Sequence, residues 1–384
     1  MLKLLSFWLV ILLVSMVVAV PAFAERGGPL NIATGLNGTV ADGDSGAPAV
    51  SGDNRVMRLV AFHSLATNLV AGDVNGVQDI FVWTRPLDRS GELLSHVGTG
   101  SLEIASRGTS GALANGESRN PSLDGSMKKA PKCVAFESDA TNLSGSDKRA
   151  DSDIYVRNLS KNRTYLVSGG LRRAAFNPAI SGDCKTVVFE SGGSVYQSSV
   201  TKGKPKKVSR GRTPDISMDG SAIVWVAGGT VKYRRGKMTK SLGRGSDPQA
   251  SDGGKVGGWA VAFNSPLGVR LKTISKKGRV GTKHSAEGGT LGGISAYAAD
   301  RGIITFFAGN EVKFVNLNTG NTDTLATADG PVDFVHSSAR ANLIAFTSNG
   351  GGDFVDARIP TGSPRPRGVY VIWISEDGCG TGCR

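Results

Sequence analysis

Histidine is nearly missing from this chain: there are four, His63, His96, His284 and His336, far apart and without paired spacing. A zinc centre needs three or four converging ligands, so this scarcity excludes the common metallohydrolase constellations and leaves each histidine a structural residue. No phosphate-cradling glycine loop ending in Lys-Ser or Lys-Thr occurs, nor a Gly-x-Ser-x-Gly elbow, which removes nucleotide hydrolysis and α/β-hydrolase chemistry. After residue 24 no segment shows sustained helical periodicity with caps, and none is long and apolar enough to span a bilayer. What remains is a chain with little means of catalysis and little helix.

The one long apolar run lies at the start. Met1, Leu2 and Lys3 give a short basic beginning, Leu4 to Val20 are almost wholly apolar, and Ala22 and Ala24 supply a small-x-small cleavage site before Glu25. That pattern is a secretory signal peptide over residues 1–24. An uncleaved anchor is the alternative, but spanning segments need about 20 apolar residues and lack such a site. The mature chain is therefore expected to begin at Glu25, to be periplasmic or secreted, and to carry no transmembrane span.

Glycine is abundant, 53 of 384 residues, and Asn-Gly, Asp-Gly and Gly-Gly pairs punctuate short runs rich in Val, Ile and Phe. Such spacing is all-β. A repeat organises it. Ala47-Pro48-Ala49-Val50-Ser51-Gly52-Asp53 recurs as Asn120-Pro121-Ser122-Leu123-Asp124-Gly125, as Asn177-Pro178-Ala179-Ile180-Ser181-Gly182-Asp183, as Thr213-Pro214-Asp215-Ile216-Ser217 and as Asp247-Pro248-Gln249-Ala250-Ser251. Apolar strands follow each, among them Val60-Ala61-Phe62, Val134-Ala135-Phe136 and Val187-Val188-Phe189, then third strands such as Asp79-Ile80-Phe81-Val82 and Asp153-Ile154-Tyr155-Val156. Two copies without the proline run from Ile294 to Val315 and from Val332 to Ile374.

A period of this length marks a propeller, because radial packing protects the raw edges that lone sheets leave. The expectation is one β-propeller over residues 25–375 with seven four-stranded blades, six being the alternative, followed by a cysteine-containing tail at 376–384. The last unit lacks a fourth strand, and Leu30-Asn31-Ile32-Ala33-Thr34 has the shape to supply it, closing the ring from the N-terminus.

The Pro-x-Ile-Ser-x-Asp-Gly start, the Val-Ala-Phe-Glu-Ser second strand at 134–138 and the Asp-Ile-Tyr-Val third strand at 153–156 resemble the WD-type repeats of TolB-like propellers. The resemblance covers most of the mature chain and is strongest in its first five units. It implies an exported bacterial propeller that binds other macromolecules near the envelope. The separate domain that precedes the propeller in TolB has no counterpart in the roughly 20 residues between Glu25 and the first unit, so the Tol-system role itself is not implied.

Three local patterns compete with that reading. Gly43-Asp44-Ser45-Gly46-Ala47-Pro48 reads like the nucleophile motif of trypsin-like serine proteases, yet no histidine lies between Glu25 and Ser45, where that family's chain order requires one. Asp73, Asn75 and Asp79 alternate oxygen-bearing side chains around Gly76, like the start of a calcium loop, and Asp147, Asp151 and Asp153 repeat the placement. The distal bidentate Glu is missing, so the preferred reading is a polar hairpin loop, with no cofactor and calcium as the alternative. Four cysteines fit export: Cys379 with Cys383, and Cys133 with Cys184 on adjacent units, are the expected disulfides.

Charge is uneven. Between Lys202 and Lys283 there are 19 Lys and Arg against 4 Asp, so the +13 of the whole chain belongs to the third, fourth and fifth units. Lys204, Lys206 and Lys207, then Arg234 and Arg235, mark clusters on outer strands, expected to meet an envelope protein or an anionic polymer. A solubilising surface is the plainer alternative. Nucleic acid is disfavoured, since Tyr233 is the main aromatic interleaved with the cations. Asn120, Asn177, Thr213 and Asp247, just before the prolines, are expected at the central channel, where hydrogen-bonded recognition suits them better than catalysis. The chain is thus expected to be a monomeric binding or scaffolding module. The alternative is a propeller enzyme, a polysaccharide lyase or other hydrolase, acting in the channel.

Overall fold

The computed structural model describes residues 26–374 apart from 53–58, 86–99, 127–128, 148, 254–257, 295–301, 317, 329, 338–342 and 350–365. Residues 1–25, which include the expected signal peptide, and residues 375–384, with Cys379 and Cys383, lie outside the described residues. Seven four-stranded antiparallel sheets stand in sequence order, and each is a blade. Blade 1 is Ser45–Val50, Leu59–Ser64, Asp79–Thr84 and Ser101–Ile104, from the innermost strand to the outermost; blade 2 is Ser118–Leu123, Cys133–Ser138, Asp153–Asn158 and Arg163–Leu166. Blades 3, 4, 5 and 6 open with innermost strands Ala175–Ile180, Arg212–Ile216, Ser246–Ala250 and Thr290–Ile294. Among the described residues, the one helical element is a single 3-10 turn at Leu36–Gly38, and no helix is long and apolar enough to cross a membrane.

Second strands lie between neighbours on both faces, and their sequences say so: Cys133–Ser138 is buried at all six positions. Runs of Val, Ala and Phe without polar alternation are what a two-sided environment selects. The phenylalanine of the second strand stacks on an aromatic of the third in four blades, Phe62 on Phe81, Phe136 on Tyr155, Phe189 on Tyr196 and Phe346 on Tyr370, at 5.8 to 6.1 Å between ring centres. Each fully buried ring contributes about 1.5–3 kcal/mol by leaving water. Outermost strands face solvent on one side, as the exposed Lys206 and Lys207 of Lys206–Arg210 show.

Blade 7 is built from both ends of the chain. Asp333–Ser337, Leu343–Ser348 and Gly368–Ile374 are its first three strands, and Arg26–Asn31 is the fourth, pairing Leu30 with Val371 and Asn31 with Tyr370. The closing strand therefore sits earlier than Leu30–Thr34: pairing reaches back through Gly27 and Arg26 past a bulge, and ends when the Ile32 amide bonds to the Val369 carbonyl at 2.9 Å.

The repeat prolines lie within their strands and do not open them. Pro48, Pro121, Pro178, Pro214 and Pro248 are the fourth or third residues of their strands, inside a bulge where the register to the second strand shifts. A bulge frees the residue from ladder bonding, so the missing N–H costs nothing there.

Candidate functional site

The residue before each proline adopts the left-handed conformation: Ala47, Asn120, Asn177, Thr213 and Asp247 have φ of 45 to 52°, and Phe334 of blade 7 matches them at 48°. Such backbone costs of order 1–3 kcal/mol per residue and needs surrounding structure to hold it. Side chains of the second strand do this. Glu137 of blade 2 accepts hydrogen bonds from Arg119 Nε at 2.7 Å and Asn120 Nδ2 at 2.9 Å, and from the backbone N–H of Asn177 in blade 3 at 3.0 Å. Glu190, at the same place in blade 3, accepts from Asn177 Nδ2 at 3.0 Å and from the Thr213 amide of blade 4 at 2.8 Å. Asn264 of blade 5 repeats the tie, donating to Asp247 and accepting from the Leu291 amide of blade 6 at 2.6 Å.

All four predicted channel residues, Asn120, Asn177, Thr213 and Asp247, line a central cavity of about 620 Å³. They also hold its wall together. Further down, Ser122 accepts from the Ile180 amide, Asp215 from the Ala250 amide at 2.7 Å and His336 Nδ1 from the Val50 amide at 3.1 Å, each bond crossing to the next blade. Burial pushes Asp215 up to about 6 and His336 down to about 4. At the far end the first hairpins of successive blades bond in a chain, Gly52 to Asp124, Gly125 to Gly182, Gly182 to Met218, and Asp219 to the Asp252 carboxylate. Gly182 has no room for a side chain, since a Cβ would meet the Gly125 carbonyl at 2.1 Å, and Met218 of blade 4 reaches Gly52 of blade 1. These turns and the Met218 side chain floor the cavity on the side of blades 1 to 4.

The mouth is polar on one side and aromatic on the other. His63 of blade 1 lies against Gly46 with Nδ1 buried and unpartnered; burial, then the charges of Arg119 and Arg367, bring it down to about 4, so it is neutral. Phe334, half exposed in spite of its left-handed backbone, stands beside Phe307. Ser45 is no nucleophile: it is buried in its strand and bonds Ser64 at 2.8 Å, as Ser118 bonds Ser138 in blade 2.

The basic clusters lie at the other end of the blades. In blades 3, 4 and 5 they occupy the hairpin between third and fourth strands, which shares an end with the Met218 floor because consecutive strands are antiparallel. The structure thus places the two sets of predicted residues on opposite faces. It also joins the clusters to one another. Arg234 Nη1 donates to the Val208 carbonyl of blade 3 at 3.5 Å, Arg235 stacks 3.7 Å above the Trp259 ring of blade 5, and Gly278 of blade 5 packs against Met238 and Lys240 of blade 4. Lys204, Lys206, Lys207, Lys237, Lys276, Lys277 and Arg279 are exposed along this edge. Among the described residues, no cation between Lys202 and Lys283 takes part in an ion pair.

Cys133 and Cys184 form a disulfide between blades 2 and 3, with Cα atoms 5.9 Å apart. The calcium-loop candidates are gathered beside blade 1, where Asn75 Nδ2 donates to Asp79 at 2.7 Å and Asp73 is buried.

No protein-family model matches the chain, and no curated relative matches its sequence. Solved structures do. An oligogalacturonate lyase from Vibrio parahaemolyticus aligns over 93% of this chain and 100% of its own, with a TM-score of 0.52 and 8% identity. The β-propeller domain of Cps50 (Swd1) from Myceliophteria thermophila aligns over 88% and 98%, also at 0.52 and 8%. TolB from Acinetobacter baumannii covers 64% of this chain and 56% of its own at 16% identity, with a TM-score of 0.36. At these identities the first two show the propeller fold, which hosts many functions.

Proposed function

We propose that this chain is an exported binding module that engages an anionic macromolecule of the cell envelope through the basic ribbon of blades 3, 4 and 5. One observation carries the reading: three clusters far apart in sequence form one exposed edge, and no carboxylate of the described residues neutralises it. A surface that only needed solubility would intersperse both signs, whereas a single-signed edge raises the local concentration of a polyanion and speeds its encounter. The repeat's likeness to TolB-like propellers supports the envelope setting. The alternative, chemistry on an acidic saccharide such as the name of the lyases suggests, requires free acid and base groups converging in the cavity. Glu137, Glu190, Asp215 and His336 are instead engaged in bonds between blades.

The test is retention on an immobilised polyanion over a salt gradient, since screening shortens to about 10 Å at 0.1 M. Arg234 and Arg235 are tied to neighbouring blades, so the variant reverses Lys204, Lys206, Lys207 and Lys237 to Glu. It is expected to elute at several-fold lower salt than the native chain. Reversing the exposed Lys129, Lys132, Lys161 and Arg172 is expected to change elution little; equal loss from both variants would reduce the effect to net charge and overturn the reading.

A further inference from the structure

Blades 1 and 2 carry the same loop with different contents. Asp79 pairs with Ser64 and Phe81 with Phe62 in blade 1, as Asp153 pairs with Ser138 and Tyr155 with Phe136 in blade 2. Counting back six residues sets Asp73 opposite Asp147, and Asn75 falls opposite Arg149. In both blades the third-strand aspartate accepts from a serine hydroxyl, Ser106 in one and Ser168 in the other.

In blade 2 the loop supplies its own counter-charge. Tyr155 donates its hydroxyl to Asp147 Oδ2 at 2.5 Å, and Arg149 donates to the Leu171 carbonyl, pairs with Asp151 at 3.1 Å and favours ionised Asp153 by its charge. In blade 1 both devices are missing. Phe81 has no hydroxyl, and Asn75 is neutral and commits its amide N–H groups to Asp79 at 2.7 Å and the Ala114 carbonyl at 2.9 Å. The result is Asp73, only 9% exposed, with Oδ1 buried and unpartnered, and an Asn75 Oδ1 that is also buried and unpartnered. Asp42 adds a third carboxylate nearby, already engaged with Thr67. Arg107 is the cation whose field reaches Asp73 and Asp79; it donates to the Gly111 carbonyl and forms no ion pair among the described residues.

We propose that this loop is a binding site for a hard divalent cation, calcium, held by Asp73, Asp79 and the amide oxygen of Asn75. The donors are all oxygens, two from carboxylates, in an irregular loop, which suits the larger and geometrically tolerant ion over magnesium. The ion takes the place that Arg149 fills in blade 2 and fastens the loop on the mouth face.

Isothermal titration of the full mature chain with calcium chloride at pH 7.5 tests the site. One calcium per chain is expected, with binding at least tenfold weaker in Asp73→Asn. The decisive variant is Asn75→Arg with Phe81→Tyr, which installs the residues of blade 2: it is expected to fold, by circular dichroism and thermal melting, and to show no calcium heat and no calcium-induced rise in Tm. Absence of calcium binding by the native chain overturns the proposal, and so does binding that survives unchanged in both variants. Should the double variant fail to fold, Asp73→Asn decides alone.

Discussion

Blades 2 and 4 use their charge in opposite ways. In blade 2 Arg119 meets Glu117, Glu137 and Asp139, Arg149 meets Asp151, and Arg157 is fastened to Thr164 and Asn162. In blade 4 the contacts of Lys232, Arg234 and Arg235 go to a serine, to backbone carbonyls and to an aromatic face, and among the described residues never to a carboxylate. Charge in the first holds the ring; in the second it is left facing outward. A cation bonded to neutral oxygens keeps its full field, and one paired inside a low-dielectric junction loses most of it.

The largest effect should come from the covalent tie on the blade 2 side. Cys133 and Cys184 are separated by 51 residues. Closing a loop of that length is worth about 4 kcal/mol of unfolded-state entropy. Replacing both cysteines with Ala is expected to lower stability by that order in urea melts, with no change in polyanion retention. A matching loss of retention would show that the two halves are not independent.

Glu137→Ala comes next. It leaves Arg119 with its outer partners but strands the Asn177 amide and Asn120 beside it, at a cost of about 2–3 kcal/mol. Removing Lys237, exposed on blade 4, is expected to move stability by less than about 0.5 kcal/mol. Equal effects at the two sites would erase the distinction between structural and presented charge.

Much of the ring is legible in the amino-acid sequence. Proline followed by a turn built from Ser, Asp and Gly repeats because every innermost strand needs the same bulge and the same hairpin, so five blades announce themselves, and blades 6 and 7 are recognisable by their Val, Ile and Phe runs. The closing strand is legible as a missing partner, but its bounds are not, since Arg26-Gly27-Gly28-Pro29 has no strand character and pairs only because Gly368–Ile374 is there to receive it. The inter-blade ties escape a reading of the sequence although they leave a trace in it. Glu137 and Glu190 stand in otherwise apolar strands, and a carboxylate in such a run must find donors or be driven neutral. The basic ribbon leaves a stronger trace, 19 Lys and Arg against 4 Asp from Lys202 to Lys283, but the contacts that join its clusters, Arg234 to the Val208 carbonyl and Arg235 on the Trp259 ring, form only when blades pack side by side.

A third region sharpens the comparison, for at the seam between blades 7 and 1 a neutral histidine joins the Asp44 carboxylate, which accepts the Arg367 amide at 2.7 Å, in bonding across the junction. His336 accepts the Val50 amide there, and burial holds it down to about 4 against an ordinary 6.5. Only the neutral ring can accept that bond. Between pH 6.5 and 4 the unfolded chain takes up a proton at this site that the folded chain refuses, so stability falls as pH falls through the window and is fully present above 6.5. Asp215, pushed up to about 6, works against it, since the folded chain holds that proton more tightly than the unfolded one and gains stability as pH falls below 6. Comparing the native chain with His336→Gln isolates the histidine, because Asp215 is common to both and glutamine keeps an acceptor oxygen. From pH 7 to pH 5 the native chain is expected to lose about 1–2 kcal/mol more than the variant, read as converging urea midpoints. Parallel pH profiles would mean that His336 titrates normally and that the seam is held without it by the bonds between Arg367 and Asp44 and Ser45.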